Sequence, residues 1–177
     1  YGSDDTVMGY RQGRVVPETR RYHKKGPMEV VALAAKAFDE WKPDFLNVDA
    51  GGLGSGIADR LAELGYPVTR VLFGERALEE DLYSIRKDEM AGELKKWFED
   101  QPNQLPSDEA LKSDISSPSY TYDSSRRLKV ESKEAMKRRG LKSPDGFDML
   151  CLTLAIPAVG VAKRPNRSLE RSNWRVL

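Results

Sequence analysis

Between Gly26 and Pro43 the apolar residues Val30, Leu33, Ala34, Ala37, Phe38 and Trp41 recur at spacings of three and four, which lays one apolar stripe along a helix. Pro27 is tolerated in the first turn of that helix, and Pro43 ends it. The pattern then changes. Phe45-Leu46-Asn47-Val48 is a short β-favouring run closed by Asp49; the turn Ala50-Gly51-Gly52-Leu53-Gly54-Ser55-Gly56 follows, and Ile57, Ala58, Leu61 and Leu64 restore helical spacing. With Gly65 as the helix cap and residues 68–73 as a second strand, this is a parallel strand–helix–strand crossover, so the fold class is α/β. Asp49 is thereby expected at the carboxyl end of a buried strand, the edge at which ligands collect in open α/β sheets.

The remaining elements follow from the same periodicities. Residues 6–11 alternate as a strand, Gln12-Gly13 turns, and residues 14–22 return antiparallel with Pro17 at an edge or bulge. Residues 74–85 mix acidic and apolar positions and predict a loop over the sheet. Residues 86–98 form a long helix with Met90, Leu94, Trp97 and Phe98 on its apolar side, and Ser107-Asp108-Glu109 cap a short helix through Leu111. An added hairpin at 119–123 and 128–131 turns at Ser124-Ser125 and leads into a basic helix at 133–139, stopped by Gly140. Ser143 as cap and Pro144 at the first position start a last helix, whose residues Leu150, Leu152, Leu154, Ala155 and Ala158 make it apolar around most of its circumference. The organisation is one domain over residues 1–161, followed by a basic, flexible tail over 162–177.

Length and composition narrow the function classes. The 177 residues, 39% hydrophobic and 32% charged, suffice for one globular core without staples. No apolar run approaches the roughly 20 residues of a membrane span, and no secretory leader is visible, so the chain is expected to be neither membrane-bound nor secreted. A single cysteine, Cys151, excludes an internal disulfide and fits a reducing compartment. A single histidine, His23, argues against a histidine-built zinc site or a Ser-His-Asp triad, which leaves catalysis to carboxylates and cationic side chains. The net charge of +1 hides an uneven distribution: residues 126–142 stand at +6, residues 163–177 at +4 and the remainder at −9. Basic blocks around an acidic centre can attract a polyanion at one face and hold cations at another.

The glycine run does not complete either nucleotide motif. A phosphate-cradling loop requires a lysine after the last glycine, where Ile57 and Ala58 stand, and Gly52-Leu53-Gly54 lacks the third glycine of a dinucleotide fingerprint, although Glu75 lies at the distance of a ribose contact. The more economical grouping joins Asp49 to Asp145 and Asp148 of the last helix. Asp145, in the first turn, serves equally well as a helix cap. Asp148, three residues further on the same face of an apolar helix, requires a partner, either a metal ion or a tertiary salt bridge. Asp49 has a plainer role open to it as well, supporting the glycine turn. Carboxylates from a strand end and a helix start can hold Mg²⁺ or Mn²⁺, and two such ions roughly 3.5–4 Å apart cleave phosphodiesters in line.

Three blocks in order support a family resemblance: Asn47-Val48-Asp49 with its glycine turn through Leu61, Arg86-Lys87-Asp88-Glu89-Met90, and Glu131-Ser132-Lys133-Glu134 through Ser143-Pro144-Asp145-Gly146-Phe147-Asp148. Together they resemble the C-terminal nuclease domain of the large terminase subunit of tailed bacteriophages, over nearly the whole chain to about Ala158. The resemblance implies a ribonuclease-H-like mixed sheet, an antiparallel hairpin plus parallel strands flanked by helices. It implies a Mg²⁺- or Mn²⁺-dependent endonuclease that cuts concatemeric double-stranded DNA during packaging. Asp49 resembles the second-strand metal ligand, Asp148 the acid of the closing helix, and Asp145 a further ligand or a supporting acid. The family's first acid precedes a turn resembling Gly2-Ser3-Asp4-Asp5-Thr6, so the resemblance puts it just upstream of Tyr1 and the chain as given lacks it. Arg126, Arg127, Lys129, Lys133, Lys137, Arg138, Arg139 and Lys142 are then expected to contact DNA. The resemblance further implies the portal protein and the small terminase subunit as partners, and the host cytoplasm, at the procapsid portal, as the location. A non-enzymatic module docking on portal or DNA, and a nucleotide-binding α/β protein, are the alternatives.

Overall fold

The computed structural model describes residues 5–100 and 102–155. The turn at Gly2-Ser3-Asp4, the end of the last apolar run at Ala158 and the tail at 162–177 lie outside them. Strands β1 (Thr6–Gly9) and β2 (Thr19–Tyr22) pair antiparallel, with Thr6 opposite Tyr22 and Gly9 opposite Thr19. After α1 (Pro27–Trp41) come β3 (Leu46–Asp49), α2 (Gly54–Glu63) and β4 (Val68–Val71); β3 and β4 pair in parallel from Leu46 and Val68 to Asp49 and Val71. The second half holds α3 (Arg86–Glu99), α4 (Glu109–Ser116), the antiparallel hairpin β5 (Tyr120–Tyr122) and β6 (Leu128–Val130), α5 (Lys133–Arg138) and α6 (Asp145–Leu152). Both the leading antiparallel pair and the parallel crossover expected from the sequence are present. Their hydrogen-bonded ladders join the strands two by two.

Local chemistry accounts for most element boundaries. The α1 entry uses Pro27 at the first position, and Glu29 reaches back to accept from the Gly26 amide at 2.9 Å, satisfying a donor that a helix start leaves over. Its stripe Val30, Val31, Ala34 and Ala37 is buried, and Lys42 closes the helix in the left-handed region at φ 49°. Asp108 caps α4, its Oδ1 accepting from the amides of Ala110 and Leu111 at 2.9 and 3.1 Å. That helix runs five residues past the expected end at Leu111, to Ser116.

Helix α6 departs from its sequence reading at both ends. It begins at Asp145 with Pro144 just ahead of it, and Ser143 donates its hydroxyl to Asp145 Oδ1 at 2.6 Å instead of capping the helix. It stops at Leu152, where Thr153 turns its hydroxyl onto the Leu150 carbonyl at 2.7 Å. Two apolar clusters hold the elements. Met90, Leu94, Trp97, Leu111, Phe147, Leu150 and Cys151 pack α3, α4 and α6 together, and Val31, Ala34 and Leu61 pack α1 on α2 with Met8, Leu46 and Val48 against them. No helix among the described residues is long and apolar enough to cross a membrane.

Candidate active site

Asp49 ends β3, and the glycine turn is shaped around it. The Gly51 amide donates to Asp49 Oδ1 at 3.0 Å, Gly52 takes the left-handed region at φ 53°, and a side chain on Gly54 would run into the Asp49 carbonyl oxygen. The glycines therefore serve the backbone around this carboxylate. Among the described residues the Gly51 amide is the one hydrogen-bond donor to it. Asp49 lies on a cleft of about 710 Å³ that Asp5, Lys133, Asp145 and Asp148 also line. Loss of hydration around the carboxylate raises its pKa above the ordinary aspartate value; the Gly51 hydrogen bond opposes this, the Asp148 charge adds to it, and Lys133 and Lys87 oppose it more weakly. The strand-end acid and the helix acid thus meet electrostatically in one cleft, as the sequence grouping required.

Asp148, on the first turn of α6, is buried and bracketed by two ammonium groups. Lys87 Nζ lies 3.3 Å from its Oδ1 and Lys133 Nζ 3.1 Å from its Oδ2. Lys87 comes from the start of α3 and Lys133 from the start of α5, so the partner the sequence demanded for Asp148 includes two tertiary ion pairs. The Lys87 ammonium is close enough to neutralise Oδ1 but is not aligned to donate to it, and Oδ1 remains a buried acceptor with no hydrogen bond. Asp145 has both oxygens engaged: Oδ2 accepts from the Asp5 amide at 2.8 Å, Oδ1 from Ser143, and Lys133 Nζ lies 3.5 Å from Oδ1.

Around these acids runs a positioning network that sequence reasoning missed. Arg21 pairs with Asp5 at 3.2 Å and with Asp114, whose Oδ2 also accepts from the Gly146 amide at 2.7 Å, so β2 and α4 jointly fix the start of α6. Lys87 is the second omission. Its signal was present in the Arg86-Lys87-Asp88 block, but nothing in the spacing ties it to an acid 61 residues later.

The basic block is only partly a surface. Arg127 is committed to Asp123 at 2.8 Å, Arg139 to Glu131 at 2.9 Å and to the Ser117 carbonyl, and Lys133 to the acids. Arg126 at the hairpin tip, Lys129, Lys137, Arg138 and Lys142 are exposed. The hairpin is tied to the start of α3 by Asp88, next to Lys87, which accepts from the Val130 amide at 2.9 Å.

The fit of a divalent ion rests on Asp49 and Asp148. Among the described residues no group of three or more acidic, histidine or cysteine side chains is gathered closely enough to hold a metal ion unaided. Two coupled carboxylates, one of them carrying a buried oxygen that accepts no hydrogen bond, do match an ion that takes one or two carboxylates and completes its shell with water and substrate phosphate. The oxygen-only donor set suits Mg²⁺ or Mn²⁺.

No family model matches the chain, and no curated protein matches it. Solved structures do. A lysine-to-alanine mutant of gp2c of the large terminase subunit of bacteriophage Sf6, with calcium, superposes with a TM-score of 0.75 at 17% identity, covering 88% of this chain and 84% of that one. The same kind of mutant of the Sf6 nuclease domain with manganese gives 0.71 at 15% identity, over 89% and 91%. The large terminase nuclease of thermophilic phage G20c with bound magnesium gives 0.61 at 14% identity, over 87% and 82%. The chain shares the fold of these domains.

Proposed function

We propose that this chain is the metal-dependent endonuclease domain of a viral DNA-packaging motor. The observation that carries the reading is the meeting of Asp49 and Asp148 in one cleft, on the fold that the Sf6 and G20c domains share with it. Asp49 and Asp148 would hold Mg²⁺ or Mn²⁺. Bound there, the ion supplies the activated water and the charge stabilisation of phosphodiester hydrolysis. Asp145 orients Lys133 and anchors the Asp5 backbone, and Lys87 and Lys133 hold Asp148 in place while offsetting negative charge where a phosphate arrives. Arg126, Lys129, Lys137, Arg138 and Lys142 neutralise the phosphates of double-stranded DNA without reading its sequence. The portal protein and the small terminase subunit are the proposed partners, and the procapsid portal in the host cytoplasm is the proposed location.

Plasmid cleavage tests the reading. Asp49→Ala and Asp148→Ala are each expected to lower Mn²⁺-dependent nicking of supercoiled plasmid by about a thousandfold, the range lost when an electrostatic catalytic group is removed. A purified double mutant that nicks at the parent rate refutes the assignment. Charge reversal at Arg126, Lys137, Arg138 and Lys142 is expected to weaken binding to duplexes of any sequence and to flatten the salt dependence. A docking module draws support from the two lysines that already neutralise Asp148. Calorimetric titration with Mn²⁺ separates the two readings, because a docking module gives no heat that disappears with Asp49→Ala.

A further inference from the structure

Among the described residues, three other than glycine have a left-handed backbone, and all three are exposed cations: Lys24 and Lys42 at φ 49° and Arg126 at φ 61°. That region is sterically costly for a residue with a side chain and suits glycine or asparagine. Two of the three have a local reason. Lys42 follows α1, where the helix dipole favours a positive charge and the Lys42 amide donates to the Phe38 carbonyl at 2.8 Å. Arg126 turns the tip of the β5–β6 hairpin, on the proposed DNA face. Lys24 has no such reason. It lies two residues ahead of Gly26, the cap of α1, and so stands by the helix end whose dipole disfavours a cation. Its neighbours are tied down: His23 Nδ1 lies 2.7 Å from Asp5 Oδ1, and Lys25 Nζ lies 3.1 Å from Glu29 Oε1. Lys24 itself is exposed and has no ion pair among the described residues. A strained position that local contacts do not explain points to a use for its side chain.

The turn that carries Lys24 is fixed against the acids. β2 ends at Tyr22, opposite Thr6, and the residue before Thr6, Asp5, donates its amide to Asp145 Oδ2 while its carboxylate takes Arg21 and His23. The other oxygen of Asp145 faces Ser143 and Lys133. Cations therefore line the cleft of Asp49 and Asp148 from two separate elements, Lys133 from α5 and Lys24 from the turn between β2 and α1. We infer that this turn is a second contact for the DNA backbone, with the Lys24 ammonium taking a phosphate on the far side of the acids from α5 and the hairpin. The inference rests on the nuclease reading and adds to it a residue outside the basic block. A phosphate brought over paired carboxylates is repelled by them. A cation on each side offsets that repulsion and sets the register of the duplex over Asp49 and Asp148 without reading its sequence.

Binding of a fluorescently labelled blunt duplex to the full chain, followed by anisotropy with no divalent ion present, tests the contact without any demand on cutting. Lys24→Asn removes the charge and suits the left-handed backbone, so it is expected to melt no lower than the parent. It is expected to weaken binding severalfold at low salt and to lower the slope of log affinity against log salt by about 0.9, the share of one phosphate contact. Lys24→Arg is expected to bind like the parent; a loss equal to that of Lys24→Asn would trace the effect to shape and overturn the inference. Lys36→Asn makes the same charge change on an exposed residue of α1 that does not line the cleft, and is expected to keep the parent slope. Equal weakening by Lys36→Asn overturns the inference, because net charge alone then accounts for the loss. Parent-like binding by Lys24→Asn overturns it as well. In that event, weakening by charge reversal at Arg126, Lys137, Arg138 and Lys142 leaves the nuclease reading standing without this contact, and parent-like binding by that variant too brings both down.

Discussion

Two clusters of buried charge lie at the start of α3 and beside it, and they are built in opposite ways. Glu89 and Arg86 are both buried, and every oxygen of Glu89 has a donor: Oε2 takes Arg86 and the Leu78 amide at 2.9 Å, and Oε1 takes the Glu79 amide at 3.2 Å. Asp148 has two ammonium groups within 3.3 Å and still keeps an oxygen without a hydrogen bond, at the edge of an open cleft. The first cluster clamps residues 74–85 onto α3 and leaves no acceptor over. The second holds charge in reserve. Satisfaction of every atom fits a structural acid, and a buried acid left with an open oxygen next to a cleft fits one that takes a further ligand.

The sharpest way to break this contrast is to remove each acid and measure folding. Glu89→Ala strands two loop amides and removes one ion-pair partner of a buried guanidinium, and is expected to cost about 3–5 kcal/mol in denaturant unfolding. Asp148→Asn keeps the shape, and its lysines can turn toward the cleft, so its expected loss is about 1 kcal/mol or less. If Asp148→Asn proves as damaging as Glu89→Ala, both clusters are structural and the contrast fails.

The divalent site offers a smaller effect. Lys133 bridges Asp145 and Asp148, and its side chain is the more exposed of the two lysines on Asp148, 33% against 16% for Lys87. A cation approaching Asp148 meets the Lys133 charge first. Lys133→Ala is expected to tighten Mn²⁺ binding by about tenfold, one unit of free-energy coupling between like charges. Calorimetry checks it, and weaker binding in the variant would mean that Lys133 builds the site instead of competing for it.

Much of this arrangement was legible because it is local. The stripe of α1, the crossover around Asp49, the hairpin leading to α5 and the acids of α6 each follow from spacings of two, three or four residues, and each is present. What the sequence did not disclose is what depends on contacts across the chain. Lys133 reads as one more cation in a basic run, yet it is 15 residues from Asp148 in sequence and 3.1 Å away in space. Arg127 and Arg139 read as two more cations of a DNA face, and their ion pairs with Asp123 and Glu131 do not show in the spacing. Ser143 has the composition of a helix cap, but its hydroxyl donates to the Asp145 carboxylate, a charged acceptor, and caps no helix amide. The pairing of strands two by two is likewise a matter of which edges meet, and no periodicity encodes that.

The smallest expected effect is the most diagnostic, because its sign changes with conditions. Asp49 has a raised pKa in the folded protein, caused first by lost hydration and then by the Asp148 charge. A carboxylate that is harder to ionise when folded destabilises the fold once it is charged. Its penalty is absent below the unfolded-state pKa of about 3.9, grows as pH rises to the raised folded value, and is full above it. Asp49→Asn removes that penalty while its amide oxygen can still accept from Gly51, so the variant is expected to melt with the parent near pH 3 and slightly above it at pH 7. The gain is under about 0.5 kcal/mol, since the residue keeps exposed surface and solvent screens it. Saturating Mn²⁺ then reverses the order, because only the parent holds the ion in its folded state and gains stability in proportion to the logarithm of free ion over Kd. A variant that stays the more stable at every Mn²⁺ concentration would show that Asp49 shapes the glycine turn and does nothing else.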